Sequence, residues 1–177
     1  MSRQPTGRIE TAAGRARLTI VREFHAPIED VWAAITEPDR LGRWIGTWTG
    51  DPASGEVRFT MTAEDGAPED GMRIRECDPP RRLAVSTQVG DEWWDLDLDL
   101  AESDGVTTLT FTQPDLDASM SDSVGPGWEY YLDRLVAAET GGDVAAIDFD
   151  RDYYPAMAEH YRALPGVAPT ARPGAGT

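Results

Sequence analysis

A chain of 177 residues with 40% apolar residues is long enough for one domain with a substantial core. Its net charge of −16 argues against nucleic acid and anionic membrane surfaces as partners, because binding either needs a basic face. All 16 basic residues are arginine, which removes Schiff-base, lysine-base and phosphate-loop mechanisms, and the single Cys77 removes an intramolecular disulfide and any multi-cysteine zinc site.

In chain order, residues 1–15 are aperiodic and read as a flexible tail. RLTIVREFH, from Arg17 to His25, alternates as a strand does, with Leu18, Ile20 and Phe24 on one side; Arg22 stands in that same apolar register. APIEDVWAAITEP then places Ile28, Val31, Trp32 and Ile35 at helical spacing, with Glu29 and Asp30 in the first turn and Pro38 as the stop. A second short helical piece, DRLGRWI, leads into a loop that carries Trp48. Five alternating runs follow, roughly 56–64, 71–77, 82–89, 92–102 and 106–113, joined by short turn segments. Short connections predict antiparallel neighbours, and one apolar register per run predicts a sheet with one buried and one wet face. SDSVGPGWEYYLDRLVAAETG is the longest amphipathic segment, with Ser, Asp and Pro126 at its opening and a stripe of Trp128, Tyr131, Leu132, Leu135 and Val136. An appendage over 142–164 offers Tyr153, Tyr154, Met157 and Tyr161 for docking, and 165–177 has the composition of a disordered tail. No segment is a candidate membrane span or signal peptide, so a soluble, cytoplasmic protein is expected.

The order is strand, helix pair, meander, long helix. It predicts an α+β domain over 16–141: about six antiparallel strands whose one apolar face is covered by the last helix. That order, together with "REFHAPIEDVWAAITEPDRLGRWI", "ECDPPRRLAVS" and "GPGWEYYLDRLVAAETG", resembles the START-like superfamily, also called SRPBCC or Bet v 1-like. Within it the chain is most similar to the branch of activators of the 90-kDa heat-shock protein's ATPase. The resemblance implies a helix-grip fold, with a cavity between sheet and helix that in many members takes an apolar small molecule. It passes down no catalytic set.

Three constellations carry chemistry. DEWWDLDLDL puts Asp95, Asp97 and Asp99 on one face at about 6.5–7 Å intervals. A straight strand cannot converge side chains so spaced on one ion, so the ladder reads as a solvated outer face, with Arg58, Arg73, Arg75 and Arg82 available as partners. The opposite register, Trp94, Leu96, Leu98 and Leu100, then faces the cavity. Arg22 is the sharpest polar anomaly. It either anchors a ligand carboxylate or phenolate, or is turned outward or satisfied by a neighbouring Glu. The aromatic surplus is the third, with Trp44 and Trp48 at the expected mouth and indole N–H groups as polar handles.

The cavity candidates are Arg22, Trp44, Trp48, Phe59, Met61, Met72, Ile74, Val85, Trp94, Leu96, Leu98, Phe111, Trp128, Tyr131, Leu132 and Leu135. No catalytic residue, metal or cofactor is expected; His25, His160 and Cys77 have no motif around them. The first functional expectation is a module binding a small apolar or aromatic molecule. The alternatives are a polyketide cyclase or aromatase-like enzyme working through Arg22, Tyr130, Tyr131 or Glu76, and a co-chaperone-like protein-partner module.

Overall fold

The computed structural model describes residues 3–163; the tail expected over 165–177 lies outside them. One antiparallel sheet contains β1 (Arg8–Ala12), β2 (Arg15–Phe24), β3 (Thr47–Thr49), β4 (Glu56–Thr60), β5 (Glu69–Asp78), β6 (Arg82–Val89), β7 (Glu92–Ser103) and β8 (Val106–Asp117). Their spatial order is β1-β2-β8-β7-β6-β5-β4-β3, so β3 to β8 form a simple meander whose last strand closes on β2. The helices are α1 (Ile28–Thr36), α2 (Pro38–Leu41), α3 (Ser121–Thr140), α4 (Phe149–Asp152) and α5 (Ala158–Ala163). This is the helix-grip architecture, with eight strands where about six were expected. Among the described residues no helix is long and apolar enough to cross a membrane.

The two additional strands come from segments read as tail and loop. β1 pairs with β2 through a two-residue turn in which Ala13 and Gly14 both have positive φ, 51° and 77°. That is the backbone of a type I′ hairpin, but alanine is not among its usual residues, and Ile9 is the strand's only buried side chain. The strand therefore left almost no trace in the pattern. β3 is three residues long and pairs with Arg58–Thr60 at the sheet's edge. Gly46 allows the approach, since a Cβ there would collide with the Thr60 carbonyl and the Phe59 ring.

β5 carries a bulge that decides what faces inward. Ile74 opposes Val85, but Glu76 opposes Ala84, so two residues of β5 face one of β6. Parity shifts at Arg75. Met72 and Ile74 point to the concave face before it; after it Cys77 does, and Glu76 turns outward to accept from Arg82 at 2.8 Å.

α3 crosses the concave face over β2 and β8, where Leu18, Ile20, Phe24, Leu109, Phe111, Leu132 and Leu135 are buried together. Burial of such side chains contributes about 1.5–3 kcal/mol each. Pro126 lies six residues into α3 and not at its opening, and Met120 precedes the helix with no side-chain cap. The appendage packs on α3 beside the N-terminal segment. Tyr153, Met157 and Tyr161 are buried there, whereas Tyr154, also expected to dock, is largely exposed.

Candidate ligand site

The half of the concave face formed by β4 to β7 is not filled by α3. Between it, α3 and the cap formed by α1 and α2 lies a cavity of about 230 Å³. Of the residues expected there, Trp44, Trp48, Phe59, Met72, Ile74, Val85, Leu96, Leu98, Phe111, Trp128 and Leu132 line it. Ile35, Leu41, Ile45, Val57 and Leu83 line it too, as does Cys77. The first five sit in the apolar stripes and registers already evident in the sequence. Cys77 required the bulge.

The cavity offers almost no hydrogen bonding. The Trp44 indole donates to the Ala34 carbonyl at 3.0 Å, Trp48 to the Thr36 carbonyl at 2.8 Å and Trp128 to Gln113 Oε1 at 2.9 Å. The indole N–H groups expected as ligand handles are thus committed to the protein. They hold the walls in place: Trp44, just past α2, and Trp48, in β3, are both tied to α1, and Trp128 stacks on Phe111 with ring centroids 4.5 Å apart. The cap is also tied to α3, because Arg134 Nε donates to the Trp44 carbonyl at 2.8 Å and Arg40 pairs with Glu139.

A second cavity of about 450 Å³ lies towards the N-terminal end of α3 and shares Phe59 and Trp128 with the first. Met61, Trp94 and Tyr131 line it, with Glu64, Asp70, Thr87 and Gln88. Tyr131 donates its hydroxyl to Glu64 at 2.6 Å. Burial, and then the Glu64 carboxylate, push the Tyr131 phenol well above its ordinary value, so it stays protonated.

Arg22 and Leu135 line neither cavity. Leu135 is fully buried in the core, and Arg22 is engaged by two carboxylates of α3. Its guanidinium reaches Glu129 at 2.6 Å and Asp133 at 2.9 Å, with side-chain exposures of 10% for Arg22 and 1% for Glu129. It points from the inner face of β2 to the α3 flank that the appendage covers. Glu129 also accepts from the Thr6 and Gly7 amides at 2.5 and 2.8 Å and from the Tyr161 hydroxyl at 2.7 Å. Burial pushes the Glu129 carboxyl up; the bonds from Tyr161, Arg22 and Thr6 outweigh it and hold the group below the usual carboxylate range. The neighbouring-Glu explanation of Arg22 is the one the structure bears out. Glu129 itself, flanked by Trp128 and Tyr130, carries no mark in the sequence pattern that would single it out.

The aspartate ladder lies on the outer face. Arg75 pairs with Asp95 at 3.4 Å and Asp97 at 2.7 Å; Arg82 pairs with Asp99 at 2.8 Å. Arg58 and Arg73 turn instead to Glu69 and Glu56, and Arg73 stacks over the exposed Trp93. Among the described residues no group of three or more His, Cys, Asp or Glu side chains is arranged to hold a metal ion.

Comparison with known proteins agrees with this geometry. The sequence profile described as "Activator of Hsp90 ATPase homolog 1-like protein" matches residues 25–139, more than half of the chain. Among solved structures, CalU16 from Micromonospora echinospora is 26% identical with a TM-score of 0.67, the match covering 91% of this chain and 96% of that one. A conserved protein of unknown function from Enterococcus faecalis is 22% identical with a TM-score of 0.63, covering 89% and 88%. DynU16, a protein in the dynemicin biosynthetic locus, is 23% identical with a TM-score of 0.61, covering 72% of this chain and 49% of DynU16. No curated protein sequence matches the chain.

Proposed function

For a chain that belongs to the Activator of Hsp90 ATPase homolog 1-like family, we propose the role of a small-molecule binding protein that holds a neutral apolar or aromatic body between β4–β7 and α3. The observation that carries this reading is the first cavity, apolar on every side and walled by indoles whose polar atoms are already bonded. Such a site selects by shape and by area removed from water, at about 25 cal/mol per Å².

Cys77 lines this cavity and is the only cysteine in the chain, which makes it a reporter. Saturating 1-decanol or naphthalene is expected to raise the Tm and to slow alkylation of Cys77 by iodoacetamide. Val85→Phe, which fills the cavity from β6, is expected to abolish both effects. If no apolar probe moves either measurement, the reading fails.

A catalytic alternative has one observation behind it, the Tyr131–Glu64 pair in the second cavity. It predicts that Tyr131→Phe and Glu64→Gln each abolish turnover of an apolar substrate while decanol still binds.

A further inference from the structure

The second cavity differs in kind from the first. Asp70 stands in the inward register of β5, in line with Met72 and Ile74 and directly opposite Phe59. Half-exposed in the cavity's lining, it presents a carboxylate that a positively charged group can reach. Among the described residues no hydrogen bond or ion pair reaches its carboxylate. Its neighbour Glu69 is of the opposite parity and is taken by Arg58 on the outer face. Glu64, in the turn between β4 and β5 and also in the lining, accepts one bond from Tyr131. The remaining walls include the rings of Phe59, Trp94, Trp128 and Tyr131, and no arginine lines the cavity. Val89 and Met120, two of the protein's exposed large apolar side chains, form part of its rim.

Two carboxylates, four aromatic rings and no cation in the lining form a site for a positive charge with an apolar body. Resting on the binding function proposed above, we propose that the second cavity takes the basic end of the ligand: a protonated amine or quaternary ammonium group. It meets Asp70 and Glu64 while the apolar body reaches past Phe59 and Trp128 into the first cavity. A carboxylate-bearing ligand of the same shape is excluded by charge. This reverses the preference that an arginine anchor would have given.

The test uses one chain with three heads: decylammonium, 1-decanol and decanoate, titrated below their aggregation limits and followed by tryptophan fluorescence. Decylammonium is expected to bind at least about tenfold more tightly than decanoate, with decanol between them. The molecule's overall negative charge attracts any cation, so the preference must be local. It should persist at 0.5 M salt, where long-range attraction is screened, and in the remote pair Glu10→Gln and Asp104→Asn. It should fall several-fold in Asp70→Asn and in Glu64→Gln, each an isosteric change checked for folding by circular dichroism. Equal binding of all three heads, or a preference lost at 0.5 M salt or in the remote pair, overturns the ammonium site and leaves the apolar cavity standing. If decanol also fails to bind, both readings fall.

Discussion

At the scale of single residues, Arg22 is an anomaly that the sequence shows but whose partners it does not. The alternation of β2 placed it inward, and it is inward. What alternation cannot show is that Glu129 and Asp133, one turn apart on α3, arrive opposite it. A buried pair of this kind costs more to break than it contributes when made, because one charge is left without a partner. Arg22→Met is therefore expected to lower unfolding free energy by about 3–5 kcal/mol in a denaturant titration. The affinity of the folded fraction for decanol should not change, since Arg22 lines neither cavity. A loss of affinity without a loss of stability would restore the anchor role.

At the scale of elements, the informative joint is between α3 and α5. The Tyr161 ring lies against Gly125, where a Cβ would come within 2.5 Å of it, and Gly7 is pressed against the same residue's hydroxyl. Gly125→Ala is expected to release α5, at a cost of about 1–3 kcal/mol. Hydrogen exchange should show faster amide exchange over 158–163. Gly127 is the internal control, because a Cβ there meets nothing within 4 Å. Gly127→Ala is expected to stabilise α3 by about 0.5–1 kcal/mol through helix propensity alone. Equal effects of the two substitutions would mean that α5 is not seated in that slot.

At the scale of the whole molecule, the question is where the surplus of acid acts. On the outer face the ladder is largely matched by Arg75 and Arg82, in exposed pairs worth about 0–1 kcal/mol each. That face is less a free acidic surface for a basic protein partner than its sequence suggests. Among the described residues, the buried carboxylate that couples to folding is Glu129. Its native pKa lies below the unfolded value of about 4.3, so between the two the unfolded chain binds more protons. The stability it supplies is complete above the unfolded value and is lost as pH falls through the native one. The Tm should therefore fall as the pH drops below about 4.3, and Glu129→Gln should reduce that acid sensitivity while lowering the Tm at pH 7. An unchanged acid limb in the variant would assign it to other carboxylates.

The alternation of polar and apolar residues determined, by itself, the antiparallel meander, the gripping helix, which face of β7 is wet, and most of the first cavity's lining. These are consequences of periods of two and 3.6 residues, and they need only neighbours along the chain. Tertiary structure decided the rest. β1 needed a partner strand to exist, since one buried isoleucine carries no pattern. The bulge that turns the exposed Cys77 to the cavity's edge is a relation between two strands. The destination of Arg22 and the commitment of the three indole N–H groups are pairings between different elements. Which side of a strand a residue occupies is a local property, but what it meets there depends on how distant segments converge.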